Sequence, residues 1–220
     1  MKRFFQWYQY IAPILFLPIT FWLWQQTYEN IQFVLIIMAI PILSAYVVPA
    51  VGTNILGLWE FNTRLRIGKF RPHHGFVFGS ATALIAFLCL AGNTVEGIWG
   101  VGQASFILAS VLGFWNWLYD TVAIKAGFLN VYTRSYKTGS ASEIAFDYAP
   151  LYFGIFGACY GAEIKVIEHY LIHCGRQDLF WMLLVVSILS AIALPSLLYV
   201  IISQLKYGDS GLNSYKGEEQ

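Results

Sequence analysis

Six long stretches without a charged side chain constrain the fold of this chain more than any other feature. They run over residues 4–28, 30–59, 72–95, 97–119, 148–162 and 179–205. A helix needs about 20 predominantly apolar residues to cross the hydrocarbon core of a bilayer, so five stretches are long enough and the sixth, 148–162, needs its flanks. The pattern predicts an all-α fold, a polytopic membrane bundle of six transmembrane helices.

The composition agrees with this prediction. Of the 220 residues, 58% are hydrophobic and only 11% are charged, and the net charge of +1 gives no reason to expect a nucleic-acid partner. The first stretch ends in Gln25-Gln-Thr-Tyr-Glu29 rather than in a small-residue cleavage site, so we expect it to be retained as a helix. We predict one domain over residues 1–206, followed by a polar tail over 207–220.

The basic residues indicate how this bundle is oriented. Eleven of the 13 lysines and arginines fall at the N-terminus, in residues 60–71, in residues 125–137 and in residues 206–216, whereas Lys165 and Arg176 fall on the other side. The positive-inside rule assigns the richer side, with both termini, to the cytoplasm. We expect an integral protein of the plasma or inner membrane, or of the endoplasmic reticulum in a eukaryote, in contact with membrane lipids.

Glu60 closes the second stretch, and an acid at the end of a spanning segment is a candidate for function. If the second helix continues through it, Thr53, Gly57, Glu60 and Arg64 share one helical face. Two interpretations follow. Glu60 is a catalytic acid with Trp59 and Asn62 as substrate contacts, or it forms an interfacial pair with Arg64 beside ordinary belt aromatics.

Asp120 closes the fourth stretch and follows Asn116 by four residues, so both project from one helical face, with Trp117 close by. An aromatic, water-poor wall favours the neutral form of a carboxylic acid, which suits Asp120 to donate a proton. Asn116 and Trp117 are then predicted substrate contacts. The alternative is a structural pair with Lys125 or Arg134.

Asp147 is a third candidate acid, at the start of the fifth predicted helix. Pro150 suits a first helical turn, so Asp147 is either a capping acid or part of a pocket on the cytoplasmic side with Glu60 and Asp120. In the second case Tyr148 and Tyr152 contact the substrate.

Histidines raise two further possibilities. Arg71-Pro-His73-His74-Gly75 enters the third helix, where the basic and imidazole groups, with His74 as the substrate contact, are predicted to bind an anionic substrate head or a lipid phosphate, unless the segment is only a positive-inside loop. His169 and His173 have the spacing of a helical zinc site, but they lie in an apolar stripe without the further ligands that such a site requires. We predict no metal and no cofactor.

A faint internal repeat links the two halves of the chain. Gly57-Leu-Trp-Glu-Phe-Asn-Thr-Arg64 and Gly127-Phe-Leu-Asn-Val-Tyr-Thr-Arg134 share Gly, Thr and Arg at an offset of 70 residues, and each leads into a Phe-Gly step. Two spans separate the copies, so they would have one orientation in the membrane, as parallel repeats do.

Two segments resemble a known family. Asn54-Ile-Leu-Gly-Leu-Trp-Glu-Phe61 resembles the Asn-x-x-Trp-Glu-Phe motif of the small membrane-integral terpene cyclases of fungal meroterpenoid and indole-diterpene pathways. The segment from Trp115 through Asp120 to Gly127 is similar to that family's Trp-x-x-x-Asp segment and, more distantly, to heterodimeric-type lycopene cyclases.

The resemblance implies a metal-free, proton-initiated cyclisation of a polyprenyl chain, with Glu60 as the motif acid. The family usually has seven spans, which makes seven the alternative to six, and its second acid lies near the C-terminal helix, where residues 179–205 hold none. Asp120, Asp147 or Glu163 would substitute. Aromatic faces stabilise carbocations, and the candidates for such a cavity are Trp59, Trp115, Trp117, Tyr119, Tyr148, Tyr152 and Phe153.

The function predicted is therefore a membrane terpene or carotenoid cyclase that acts on a polyprenyl or other lipophilic small molecule, with Glu60, Asp120 and Asp147 as candidate catalytic acids. The alternatives are a small proton- or cation-coupled transporter or channel that uses the same acids, and a non-catalytic subunit of a membrane complex. The sequence leaves the oligomeric state open.

Overall fold

A computed structural model describes residues 1–216, and these form a mainly helical bundle, which confirms the helical prediction. Each of the six charge-free stretches contains or overlaps one long helix. The helices are α1 (Lys2–Tyr28), α2 (Ile31–Ala50), α3 (His74–Leu90), α4 (Gly97–Lys125), the short α5 (Ala141–Phe146), α6 (Ala149–Glu168) and α7 (Phe180–Tyr207). Two short strands, β1 (Trp59–Phe61) and β2 (Leu129–Val131), complete the fold.

Among residues 1–216, three helical segments are long and apolar enough to cross a membrane. They are Ile31–Ile55, in which a π-helical turn extends α2, then Gly97–Lys125, and Gln177–Tyr207, which contains α7. Helix α3 is apolar but has only 17 residues. Length and composition therefore support membrane insertion.

Small residues bring the helices of each half into close contact. Gly157 and Gly161 of α6 lie against the backbone of α4 at Leu108 and Ala104, so closely that a Cβ atom at either glycine would overlap that backbone. Gly79 of α3 packs on Ile42 of α2 in the same way. Such small-residue contacts are the usual means of packing helices in membranes, where apolar side chains gain little by leaving lipid.

The two copies of the sequence repeat pair with each other as a two-stranded antiparallel sheet of β1 and β2, called the hairpin here, although α3 and α4 separate the two strands in sequence. Glu60 lies opposite Asn130, which is 70 residues further along the chain. Beyond the strands, the Asn62 amide donates to the Phe128 carbonyl at 2.8 Å, and the Tyr132 amide donates to the Leu58 carbonyl at 2.7 Å. Residues 62 and 132 differ by 70, and so do residues 58 and 128, so each of these two bonds is the counterpart of the other in the opposite copy of the repeat. The hairpin therefore has an approximate two-fold axis.

The interpretation of residues 53–64 as a continuing helix is wrong. The helix ends after Ile55, and Gly57 takes a φ of 67° that favours glycine and turns the chain into β1. Gly127 makes the equivalent turn before β2, with a φ of 63°.

The start of α1 and the segment that follows α7 pack on this hairpin. Phe5 of α1 stacks on Phe128 with ring centroids 5.3 Å apart. Residues 208–216, which follow α7, form a segment that crosses the hairpin and is called the strap here. Ser214 Oγ donates to the Gly57 carbonyl at 2.9 Å, and the Tyr215 amide donates to the Tyr132 carbonyl at 2.9 Å. The predicted polar tail is thus packed on the bundle as far as residue 216.

Candidate functional site

A cavity of about 410 Å³ lies between the hairpin and the bundle, and the strap borders it. Its size is within the range of small-molecule sites, and its walls are largely apolar. Helices α2, α3, α4, α6 and α7 all contribute to it. The aromatic part of the lining consists of Tyr8, Trp59, Phe61, Phe78, Trp115, Tyr119, Tyr148, Tyr152, Phe153, Phe156 and Tyr199.

Asp120 is the only carboxylate side chain of residues 1–216 in the cavity lining, and it is 9% exposed. The Tyr148 hydroxyl donates a hydrogen bond of 2.6 Å to its Oδ2 atom. Asn116 lines the same wall one turn earlier and donates to the Leu112 carbonyl at 2.9 Å. The predicted shared face of Asn116 and Asp120 is therefore present.

Neither structural pair considered for Asp120 forms. Arg134 binds Asp147 instead, and Asp120 has no ion pair with Lys125 or any other base in residues 1–216. An acid with a phenol as its partner, in an apolar wall, is suited to hold and transfer a proton.

Arg71 is the second charged group in the lining, and it is 1% exposed. Its Nη2 atom lies 2.6 Å from Nδ1 of His74, and its Nη1 atom donates to Gln9 Oε1 at 3.5 Å. The guanidinium carbon lies 4.3 Å from the centre of the Phe61 ring, a cation–π contact. His74, predicted to contact substrate, lines the cavity beside Arg71.

His73, the other histidine of this segment, is a neutral neighbour. Desolvation by burial, together with the charge of Arg71, lowers the pKa of His73 to about 4. Its Nε2 atom lies 3.2 Å from Gln9 Oε1. The positive charge of this corner therefore resides on Arg71.

Glu60 lies outside the cavity. Alternate side chains of a strand point to opposite faces, so Trp59 and Phe61 reach the cavity while Glu60 does not. Its carboxylate accepts hydrogen bonds from the Tyr132 hydroxyl and from Lys216 Nζ at 3.0 Å. Desolvation opposes the charge, but these bonds outweigh it and hold the pKa of Glu60 below its ordinary value of 4.5.

The pairing of Glu60 with Arg64 that the sequence suggested is wrong, because Lys216 of the strap takes that place. The predicted pocket shared by Glu60, Asp120 and Asp147 does not form either, since only Asp120 lines the cavity.

Asp147 forms an ion pair that ties three segments together. Its Oδ1 atom accepts a hydrogen bond of 2.7 Å from Arg134 Nε, and the Arg134 guanidinium stacks 3.4 Å from the centre of the Tyr207 ring. Asp147 ends α5, and Tyr148 rather than Asp147 stands at the N-cap of α6, so the capping interpretation of Asp147 is wrong.

The predicted substrate contacts separate into two groups. Those in the cavity lining are Trp59, His74, Asn116, Tyr148 and Tyr152. Asn62 and Trp117 are not: Asn62 Nδ2 donates to the Gly127 carbonyl at 2.9 Å, and Trp117 Nε1 donates to the Ser142 carbonyl at 3.2 Å. These two side chains hold the hairpin and α5 in place.

Arg71 was predicted only as one of the basic and imidazole groups of residues 71–75, and not as a buried residue of the cavity lining. Basic residues are common in loops on the cytoplasmic side, so its only distinguishing signal was its position between Phe70 and Pro72, at the entry to an apolar stretch.

Within residues 1–216, histidine, cysteine and acidic side chains form no group of three that could hold a metal ion. Comparisons of the chain with protein-family models, with curated proteins and with solved structures give no match. A functional proposal must therefore come from the geometry of the site.

Proposed function

We propose that the protein is a membrane-embedded cyclase in which Asp120 transfers a proton to a lipophilic, polyprenyl-type substrate bound in the cavity. The observation that carries this proposal is the buried Asp120 carboxyl, hydrogen-bonded to Tyr148 in an aromatic, largely apolar cavity. The resemblance of the segments around Glu60 and Asp120 to membrane terpene cyclases points to the same chemistry.

The reaction is an isomerisation that needs no oxidant or reductant. The protonated Asp120 carboxyl gives its proton to an alkene or epoxide, and a carbocation forms on the neighbouring carbon. An internal alkene attacks this carbon and closes a ring, and loss of a proton from carbon restores the acid. Aromatic faces stabilise the cation while the apolar walls keep water away. Trp59, Phe78, Tyr152 and Phe153 supply such faces.

Glu60 and Asp147 have supporting roles in this proposal. Each carboxylate is bound to a basic partner, Lys216 for Glu60 and Arg134 for Asp147, outside the cavity. Asp120 alone is the catalytic acid, and Tyr148 is the group that orients it.

The enzymatic proposal is tested by Asp120→Asn in membranes supplied with a prenylated aromatic carboxylic acid that carries a terminal epoxide, and with lycopene. We expect the variant to lose at least about 100-fold in rate, the usual contribution of general acid catalysis. Asp178→Asn is the matched control, because Asp178 is an exposed acid paired with Arg176. Unchanged turnover in Asp120→Asn, or no turnover of either substrate by the wild type, would overturn the proposal.

We further propose that all six long helices cross the membrane, with both termini in the cytoplasm. The N-terminal part of α1, the hairpin and the strap lie together at one end of the bundle, and the segments that hold 11 of the 13 basic residues start or end there.

Labelling of single cysteines with a membrane-impermeant maleimide tests this topology, in a background where Cys89, Cys159 and Cys174 are replaced by serine. We expect Gly92→Cys, in the turn between α3 and α4, to react from outside intact cells. Arg66→Cys, in the loop after β1, should react only after permeabilisation. The reverse pattern would show that the orientation is wrong.

One observation favours a transporter as a second candidate. Glu163 of α6 is largely buried and accepts a hydrogen bond from Ser190 of α7, further along the same interface as the cavity. Between Glu163 and the cavity, Cys159 and Tyr152 lie on the same side of α6. Two buried acids along one interface are typical of proton paths. Proton flux in proteoliposomes that is lost in both Asp120→Asn and Glu163→Gln, without substrate conversion, would favour this candidate.

A further inference from the structure

We infer that Arg71 binds an oxyanion, a carboxylate or a phosphate at the end of an apolar chain. The ligand of the cavity is then a single-chain amphiphile with an anionic head. As a statement about the substrate, this inference rests on the proposed function; as a statement about binding, it stands on the surroundings of Arg71.

Arg71 has no ion-pair partner in the described part of the chain. The guanidinium is 1% exposed and forms no ion pair with any acidic side chain of residues 1–216. Its polar partners are the neutral side chains of Gln9, His74 and Tyr119. A buried charge without a partner is costly, so a site of this kind favours a ligand that brings the opposite charge.

The hydrogen-bonding capacity of Arg71 is also incomplete. The Nε atom is buried and has no hydrogen-bond partner among residues 1–216, whereas Nη1 and Nη2 contact Gln9 and His74. The ring of Phe61 covers one face of the guanidinium. Arginine presents its donors as a rigid planar fork that matches the oxygens of a carboxylate or a phosphate, so an unpartnered Nε suits such a group.

The surroundings of Arg71 supply further donors for an oxyanion. Tyr119 lines the cavity and lies close enough for its hydroxyl to interact with the Arg71 charge. His74 lines it as well, and its Nε2 atom becomes a donor when Nδ1 accepts from Arg71. Asp120 is close enough to interact with the charge of Arg71, but its hydrogen bond is with Tyr148 and it forms no ion pair with the guanidinium.

The rest of the cavity determines what is attached to the anionic head. Its volume of about 410 Å³ is within the range of small-molecule sites. Beyond Arg71 the lining continues as apolar side chains of α2, α3 and α7, among them Val48, Ile85, Ile192 and Val200. One apolar chain ending in an oxyanion meets both requirements.

Binding of matched single-chain probes tests this inference. Purified protein in phosphatidylcholine nanodiscs is titrated with palmitate, hexadecyl phosphate and hexadecanol, which share a chain and differ in the head group. We expect the two anions to bind the wild type at least about tenfold more tightly than the alcohol. In Arg71→Gln we expect anion affinity to fall about 10- to 100-fold with the alcohol unchanged, as for a lost hydrogen bond to a charged group.

Arg64→Gln is the matched control, because Arg64 lies on the same loop and is exposed. Arg71→Lys is a second variant in case Arg71→Gln does not fold. It keeps the positive charge but loses the planar set of donors, so we expect intermediate affinity for anions. Equal binding of palmitate and hexadecanol by the wild type would overturn the inference. So would unchanged palmitate binding in Arg71→Gln.

Addition of phosphatidic acid to the nanodiscs shows whether the oxyanion at Arg71 belongs to a membrane lipid or to a free amphiphile. If it competes with palmitate, the oxyanion at Arg71 can come from a lipid head group that reaches the cavity mouth. If it does not, the site takes a free amphiphile; both results support an oxyanion site.

The two proposals can be contradicted independently of each other. We expect Asp120→Asn to keep its preference for palmitate over hexadecanol although it loses turnover. Anion binding with no cyclisation by the wild type would contradict the proposed function alone, and cyclisation without any anion preference would contradict the Arg71 site alone.

Discussion

The Tyr148 hydroxyl donates a hydrogen bond of 2.6 Å to Oδ2 of Asp120, and the two residues come from different helical segments, 28 positions apart in sequence. Asp120 is in the last turns of α4, and Tyr148 is the residue at which α6 begins. The close glycine packing of α4 on α6 holds these segments together, so the orientation of the proposed acid depends on helix packing.

Removal of the Tyr148 hydroxyl should slow turnover without abolishing it. In Tyr148→Phe the carboxyl keeps its proton and its apolar surroundings but loses the bond that orients it, so we expect kcat to fall about tenfold, the effect of one hydrogen bond to an ionisable group. KM should change little. Steady-state kinetics beside Asp120→Asn provide the comparison, and a loss as large as that of Asp120→Asn would assign Tyr148 a direct role in proton transfer.

Replacement of Asp147 should affect stability rather than chemistry. Its side chain is 6% exposed, and removing one partner of a buried pair leaves the other charge unpaired, so we expect Asp147→Asn to destabilise the protein by about 3 kcal/mol. Thermal unfolding in detergent measures the loss. Turnover per folded molecule should equal that of the wild type. A normal melting temperature with reduced turnover would instead indicate that Asp147 is a catalytic acid.

The bond between Glu60 and Lys216 should hold the strap on the hairpin in a pH-dependent way. Lys216 is 43% exposed, so we expect a coupling energy of only about 0.5 kcal/mol in a double-mutant cycle of Glu60→Gln and Lys216→Gln. Because the pKa of Glu60 is lowered in the folded protein, this stabilisation is present above the ordinary value of 4.5 and is lost as the pH falls through the folded-state pKa.

Limited proteolysis of the strap at a series of pH values reports this release. Cleavage in the wild type should rise only under acidic conditions, whereas Glu60→Gln should be cleaved more readily at neutral pH. A strap equally resistant in both proteins would show that the other contacts, from Ser214 and Tyr215, are sufficient.

A methyl group at Gly157 should separate α4 from α6. The added Cβ would overlap the Leu108 backbone, which cannot move independently of its helix, so we expect Gly157→Ala to cost about 1–3 kcal/mol. Gly102→Ala is the matched control within α4, since nothing lies within 4 Å of the added atom. Thermal unfolding of both variants tests the prediction, and equal melting temperatures would contradict it.

The helices were predictable because long apolar stretches without charged residues indicate helices without any knowledge of tertiary packing. The hairpin was not, because strands of three residues show no periodicity, and residues 53–64 fit a helical face equally well. The 70-residue repeat did contain the necessary information: its paired glycines at 57 and 127 mark the two turns, and its copies are the two strands.

The candidate site was predictable only in part. Asp120 and Asn116 are one turn apart on one helix, so local spacing was enough to place them together. The partner of Glu60 lies 156 residues away, and only the folded chain reveals that Lys216 rather than Arg64 takes that position. For Arg71, burial distinguishes it from the exposed basic residues of the same loop, and burial depends on tertiary packing.

The near-symmetry of the hairpin makes the differences between the halves informative. Seventy residues before Asp120 stands Ala50, and, when the Phe-Gly steps of α3 and α6 are aligned, the position that corresponds to Arg71 is Phe146. The acid therefore belongs to the second half alone and the guanidinium to the first half alone. In the opposite orientation, each end of an elongated ligand would contact different side chains. The cavity of the proposed cyclase can therefore bind such a molecule in one direction and expose one end of it to Asp120.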